Sequence, residues 1–236
     1  MGTAGTTAAG VVDPLRALAE IADREDIWFH VDAAWGGSAA LSARLRPLLD
    51  GIEQADSATW DAHKGMSVPM GAGMFFCRAP ETLSRAFAVS ATYMPASSGQ
   101  LDPFACTPQW SRRAIGLKVL FALAELGIEG YGELVERQAR MGDCLREKLL
   151  AAGWTVVNRT ALPLVCFTHP QLDGDEELVR RLCSAVQERG RVWISSVLLA
   201  GQVSALRACI TSFRTEESDL DVLVAEINLA RELVAR

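Results

Sequence analysis

The adjacent residues His63 and Lys64 are the part of the sequence best suited to chemistry. Lys64 lies among small and apolar residues, and it is one of only three lysines in a chain that has twenty arginines. A buried lysine, unlike an arginine, can lose its proton, and its neutral amine can then condense with an aldehyde. We therefore interpret Lys64 as a reactive lysine. The same pattern also fits a lysine at the end of a strand whose amine reaches solvent.

Asp32 adds a second group that one cofactor would need. It falls at the end of the apolar run 27–34, and Lys64 follows the run 56–61, so both come after predicted strands. Ligands of open α/β sheets bind at the carboxyl ends of strands. A lysine for the aldehyde and an acid for the ring nitrogen are the two protein groups that pyridoxal phosphate requires. Asp32 could instead cap the loop after its strand.

The elements that would position these residues alternate between helix and strand. Asp13 and Pro14 are typical of a helix start, with Asp13 as the N-cap. We predict helices over 13–25, 43–54 and 80–89, and strands over 27–34, 56–61 and 72–78. Residues 90–108 show neither the helical nor the strand periodicity of apolar residues, which is typical of a functional lid loop or a linker.

The second half of the chain predicts a separate α+β unit. Two helical patterns, 109–126 and 133–151, are separated by Gly127 and Gly130. Strands 154–158 and 164–169, helix 175–189, strands 191–197 and 205–212 and helix 216–234 follow. We therefore predict a boundary near Met141, with one region over 1–140 and a small C-terminal domain over 141–236.

Composition excludes several classes of partner. The 236 residues carry a net charge of −6 without a basic stripe, which argues against nucleic acid and anionic membranes. Six cysteines stand singly, which is typical of reduced thiols in a cytoplasmic protein. The three histidines are not at metal-ligand spacing, so no metal site is expected.

Five motifs resemble one enzyme family along essentially the whole chain. They are "GTT" at 5–7, "HVDAAWGG" at 30–37, "DSATWDAHK" at 56–64, "QWSRRAIGLK" at 109–118 and "LRACITSFRT" at 206–215. In order and spacing they closely resemble the group II pyridoxal-phosphate-dependent amino acid decarboxylases, which include the aromatic amino acid, glutamate and cysteine-sulfinate decarboxylases. The resemblance implies an α/β fold of the fold-type-I transferase-like class, with a partial large α/β domain and a complete small α+β C-terminal domain.

The resemblance also implies roles for individual residues. Lys64 would hold pyridoxal 5'-phosphate as a Schiff base, and Asp32 would pair with the pyridinium nitrogen. His63 would lie beside the phosphate and the lysine, Thr7 would touch the ring region, and Ala34 would pack against the ring. From the residues alone, the last three could equally be a strand-end histidine, a turn threonine and a core alanine.

Two more residues take roles from the resemblance. Tyr93 lies in the predicted lid, where the family carries a tyrosine that protonates Cα after carbon dioxide leaves. Arg207 resembles a strand arginine that faces the substrate carboxylate in some members, although a lone strand arginine more often forms a structural ion pair.

The chain departs from the family in two places. Ala62 and Gly65 replace a usual proline and a usual large residue beside the His–Lys pair, which would loosen the backbone there. The second departure is at the front: family members carry a long segment before "GTT", with the ring-stacking histidine and the phosphate cradle, and we expect this segment to be missing here.

The expected function is decarboxylation of an L-amino acid by a homodimer that needs this segment. The alternatives are another enzyme of the same fold, such as an aminotransferase, and an inactive fragment that acts only by association.

Overall fold

The first half of the chain forms a four-stranded sheet. The computed structural model describes residues 1–87, 103–172 and 174–234. Strands β1 (Gly2–Thr3), β2 (His30–Asp32), β3 (Ser57–Asp61) and β4 (Gly73–Cys77) lie side by side in that order. The first three run parallel and β4 is antiparallel to β3. Since parallel strands end at one edge, the residues that follow β2 and β3 meet there.

Helix α1 (Leu15–Arg24) covers this sheet through an apolar stripe. Leu15, Ala19 and Ala22 are buried in one core with Val31 of β2. The predicted helix is confirmed, but the predicted N-cap is wrong. The Asp13 carboxylate accepts the amide of Thr3 at 2.8 Å instead of capping α1, so it joins β1 to the start of the helix.

The predicted helix over 43–54 is wrong. Two short 3-10 helices, Arg46–Leu49 and Ile52–Gln54, occupy this segment. Gly51 separates them with a φ of 96°, a conformation that other residues rarely adopt. A Cβ at Gly51 would also lie 2.4 Å from the amide nitrogen of Arg16 in α1, so only glycine lets the two segments approach this closely.

The two predicted long helices form a single element, α3 (Gly116–Ala151), after the short helix α2 (Pro80–Ala86). Gly127 has non-helical angles of φ 65° and ψ 179°, so α3 is kinked where the pattern predicted an interruption. Met141 lies within α3, which therefore contributes to both predicted regions, and the division itself stays a prediction. No helix of the described ranges is long and apolar enough to cross a membrane.

The second half contains an antiparallel sheet covered by helices. Its strands are β5 (Thr155–Val156), β6 (Leu164–Thr168), β7 (Ser195–Leu199) and β8 (Val203–Cys209), in the order β5-β6-β8-β7. Helices α4 (Glu176–Glu188) and α5 (Glu217–Val234) and the end of α3 share one core with it. The predicted succession of two strands, a helix, two strands and a helix is confirmed.

Candidate active site

Asp32 lies at the carboxyl end of β2, opposite Thr59 of β3. Its Oδ1 atom accepts two hydrogen bonds, from the Ala34 amide at 3.0 Å and from the Thr59 hydroxyl at 3.3 Å. In the described ranges, no hydrogen bond reaches its other oxygen, Oδ2. The carboxylate is thus fixed in orientation through one oxygen while the second can receive a proton donor.

Lys64 follows β3 on a tight turn that begins at Asp61. The Lys64 amide donates to the carbonyl of Asp61 at 3.0 Å, and the Lys64 Nζ lies 2.9 Å from Asp61 Oδ2. Sequence reasoning missed Asp61 as a site residue. Its position three residues before Lys64 is the signal that could have found it, since one turn brings side chains at that spacing together.

Ala34 connects the Asp32 carboxylate to the backbone of Asp61. Its amide binds Asp32 Oδ1, and its carbonyl accepts the amide of Asp61 at 3.2 Å. Contacts therefore run from Asp32 through Ala34 to Asp61 and Lys64 along the carboxyl edge of the sheet. These contacts are compatible with the prediction that Asp32 and Lys64 face one pocket, which stays a prediction.

His63 lies beside the same carboxylate, with its Nε2 atom 3.7 Å from Asp61 Oδ2. Its Nδ1 atom is buried, and the part of the chain that the structure describes offers it no hydrogen-bond partner. A buried polar atom without a partner costs free energy, so this nitrogen is suited to a ligand group.

Gly65 has a packing role that the sequence did not indicate. A Cβ at this position would lie 2.1 Å from Oγ and 2.7 Å from Cβ of Ser38, a buried residue of the 3-10 helix Gly36–Leu41. Glycine therefore lets the turn pack directly against this helix. The neighbouring Ala62 is completely buried.

Arg207 on β8 joins the second sheet to the N-terminal segment, because its Nε atom donates to the carbonyl of Thr7 at 2.9 Å. Burial raises the pKa of the nearby Cys209 thiol, and the positive charges of Arg207 and Lys64 oppose this shift. Both cations thus act on one thiol. Within residues 1–87, 103–172 and 174–234, no carboxylate forms an ion pair with Arg207.

Tyr93 and most of the predicted lid, residues 90–102 of 90–108, lie outside the described residues. The remainder of the lid includes the 3-10 helix Pro103–Cys106, in which the ring of Phe104 lies 5.6 Å from that of Trp110. The predicted role of Tyr93 therefore stays a prediction.

The groups at this edge fit pyridoxal phosphate. Lys64 offers a partly exposed amine for the aldehyde, and Asp32 offers a carboxylate oxygen for a protonated ring nitrogen. His63 adds a buried nitrogen that has no partner in the described chain. Aldehyde, ring nitrogen and a further polar group of the cofactor would each find a complementary side chain.

Comparisons with known proteins agree with this fit. A family model described as the pyridoxal-dependent decarboxylase conserved domain matches residues 1–169. The 4-hydroxyphenylacetaldehyde synthase of Rhodiola rosea is 31% identical over 229 residues, which cover 94% of this chain and 46% of that protein. The aspartate 1-decarboxylase of Aliivibrio fischeri is 58% identical over 84 residues, which cover 36% of this chain and 15% of that protein.

A solved structure, mouse CSAD, superimposes with a TM-score of 0.89 at 28% identity. The match covers 97% of this chain and 51% of that chain. The chain therefore spans about half the length of these relatives.

Proposed function

Because the chain belongs to the pyridoxal-dependent decarboxylase family, we propose that it takes part in removing the α-carboxylate of an L-amino acid as carbon dioxide, which leaves the amine. The predicted α/β fold-type-I class and the predicted cofactor, pyridoxal 5'-phosphate, are confirmed by this membership. The family match also favours decarboxylation over amino-group transfer, which the sequence alone left open.

One observation carries the proposal: the contacts that run from Asp32 through Ala34 to Asp61 and Lys64. When bound, the cofactor supplies an electron-accepting ring. Lys64 holds the cofactor covalently, and the Oδ2 atom of Asp32 keeps its ring nitrogen protonated. The hydrogen bonds to Oδ1 prevent the Asp32 carboxylate from turning away.

The other predicted residues complete the proposed site. His63 donates from its buried ring to the cofactor, Ala34 leaves room for the ring, and Thr7 lies at its border. Arg207 binds a carboxylate of the substrate through the guanidinium nitrogens that its bond to Thr7 leaves free. Tyr93, outside the described residues, returns a proton to Cα.

The 236 residues correspond to about half the length of the relatives that match nearly the whole chain. We further propose that turnover also needs residues equivalent to the other half, whether they lie on the same polypeptide or on a separate one. Large apolar side chains are exposed where such residues could pack. Phe75 and Phe76 on the terminal strand β4 are 52% and 49% exposed, and Leu120 and Phe121 on α3 are 58% and 66% exposed. Terminal strands and apolar patches of this kind favour association, and we propose a homodimer as the assembly.

Trapping of the cofactor tests the assignment of Lys64. The chain is incubated with pyridoxal phosphate, reduced with borohydride and mapped by peptide mass spectrometry. We expect the pyridoxyl group on Lys64, its loss in Lys64→Ala, and its retention in the matched variants Lys118→Ala and Lys148→Ala. A label mainly on Lys118 or Lys148 would contradict the proposal.

Carbon dioxide release tests the reaction. Aspartate comes first in the panel of amino acids because the relative with 58% local identity is an aspartate 1-decarboxylase. We expect the 236 residues alone to bind the cofactor weakly and to release no carbon dioxide, and we expect turnover once the remaining residues are supplied. Tight binding and turnover by the 236 residues alone would show that they suffice.

A further inference from the structure

Ser67, three residues after Lys64, has a left-handed backbone conformation with a φ of 54°. A residue other than glycine keeps this conformation only where its surroundings hold it. The Ser67 amide donates to the carbonyl of Lys64 at 3.0 Å, and the Lys64 amide donates to the carbonyl of Asp61 at 3.0 Å. The conformation of Ser67 is therefore coupled directly to the backbone that carries the Lys64 side chain.

Gln138 restrains the side chain of Ser67, whereas the bond to Lys64 restrains its backbone. This glutamine of α3 is 2% exposed, and its Nε2 atom donates to the Thr211 carbonyl at 2.7 Å and to Ser67 Oγ at 3.3 Å. The Ser67 hydroxyl itself donates to the same carbonyl at 2.7 Å. Because a carbonyl can only accept, Thr211 fixes the amide orientation of Gln138, and the three groups form a closed triangle.

This triangle joins three parts of the fold that are distant in sequence. Ser67 belongs to the turn of Lys64, Gln138 to helix α3, and Thr211 to the chain directly after β8. A shift of the second sheet or of α3 would therefore be transmitted to the turn that carries Lys64.

We propose that Gln138 is a positioning residue for Lys64, which it holds in place by fixing the left-handed conformation of Ser67 against Thr211. The proposal rests on the proposed function in one respect, that Lys64 is the residue that holds the cofactor. Within the described residues, the side-chain hydrogen bonds of Gln138 go to Ser67 and Thr211 and not to the Lys64 amine.

The test measures how accessible the Lys64 amine is, without cofactor. The chain is treated with limiting acetic anhydride, and peptide mass spectrometry gives the ratio of acetylated Lys64 to acetylated Lys148, which serves as an internal reference far along α3. We expect Gln138→Leu to raise this ratio about fivefold, because the turn loosens and the ion pair with Asp61 opens.

The matched control is Gln187→Leu. Gln187 also donates its side-chain amide to a backbone carbonyl at 2.7 Å, that of Ile194, but it lies on α4 and not on α3. Gln187→Leu should leave the ratio of acetylated Lys64 to acetylated Lys148 unchanged. Circular dichroism establishes that both variants are folded. An unchanged ratio in folded Gln138→Leu would overturn the proposal.

If Gln138→Leu does not fold, Ser67→Ala tests the proposal instead. It removes the hydroxyl that Gln138 binds, so it should raise the ratio similarly, and an unchanged ratio would overturn the proposal. Where both variants fold, their combination should give no further rise, since both break one set of contacts. Borohydride trapping tests the assignment of Lys64 separately, so failure of the proposed function and failure of the Gln138 proposal are distinguishable.

Discussion

The Nζ atom of Lys64 lies 2.9 Å from the Oδ2 atom of Asp61, three residues earlier on the same turn. The two side chains are 35% and 23% exposed, so solvent screens their attraction. Ion pairs with this degree of exposure stabilise proteins by only about 0.2–1 kcal/mol. The pair therefore orients the amine more than it stabilises the fold.

We expect Asp61→Asn to speed pyridoxyl labelling of Lys64 about two- to fivefold, because the carboxylate paired with the ammonium group is lost. The initial rate of borohydride-trapped label at a fixed cofactor concentration measures this. Asp221→Asn, which removes the carboxylate partner of Lys148, should leave the rate at Lys64 unchanged. Unaltered labelling in Asp61→Asn would show that the pair does not restrain the amine.

Asp32→Asn should lower carbon dioxide release by the active assembly about 10²- to 10⁴-fold, since a neutral amide cannot pair with a charged ring nitrogen. The fold should survive, because the amide oxygen can still accept from Ala34 and Thr59. The control is Asp56→Asn, at the opposite end of the strands, where the carboxylate accepts the Phe29 amide at 2.7 Å. Equal losses in both variants would mean that Asp32 has only a structural role.

Tyr93→Phe should shift the product of the active assembly from amine towards aldehyde. If no side chain protonated Cα promptly, that carbon would stay open to oxidation by O2, which would be reduced to hydrogen peroxide, and hydrolysis would then release the aldehyde and ammonia. The molar ratio of amine to aldehyde measures the shift. Tyr131→Phe is the control, because this second tyrosine is buried in α3 and should not affect the ratio. Unchanged amine output from Tyr93→Phe would remove Tyr93 from the mechanism.

Gly65→Ala should destabilise the fold by about 1–3 kcal/mol, because the added methyl group would overlap Ser38. Denaturant unfolding gives the free energy. Ser38→Gly should restore much of the loss in the double variant, since it removes both atoms that crowd the site. Gly116→Ala, where a Cβ would meet nothing within 4 Å, is the control and should cost little. A tolerated Gly65→Ala would indicate that the turn can move away from Ser38.

The pH dependence of stability should carry a contribution from Glu226. This fully buried carboxylate of α5 accepts from Arg189 and Arg191, and the Arg189 hydrogen bond holds its pKa below the usual value of 4.5. A carboxyl with a lower pKa in the folded state stabilises the fold above its unfolded pKa, and this contribution is lost as the pH falls through the folded pKa.

We therefore expect Glu226→Gln to lower the thermal midpoint at neutral pH, with a difference from the unaltered chain that shrinks below about pH 4.5. Thermal unfolding followed by circular dichroism across this range measures both curves. The control is Glu232→Gln, which replaces an exposed carboxylate later on α5. Its thermal midpoint should match that of the unaltered chain at every pH. A constant difference at all pH values would contradict the assignment.

The sequence by itself determined which residues could carry the chemistry. Asp32 was found because it ends a short apolar run, and Lys64 because it is a rare lysine that follows the predicted strand 56–61. The ends of neighbouring parallel strands lie at one edge of an α/β sheet. The order and spacing of the five motifs also indicated the family and its cofactor. The successive elements of the second half also followed from periodicity, because each buries one face against a single core.

The tertiary structure decided what surrounds those residues. Periodicity predicted a helix over 43–54, but Gly51 must approach α1 so closely that the segment breaks into 3-10 turns. Two sets of contacts, Gly65 with Ser38 and Gln138 with Ser67 and Thr211, cannot be predicted from a local sequence pattern. They join residues from 27 to 73 positions apart. Such contacts exist only once the sheets and α3 have packed, since packing brings distant backbone and side-chain groups within hydrogen-bonding or van der Waals distance.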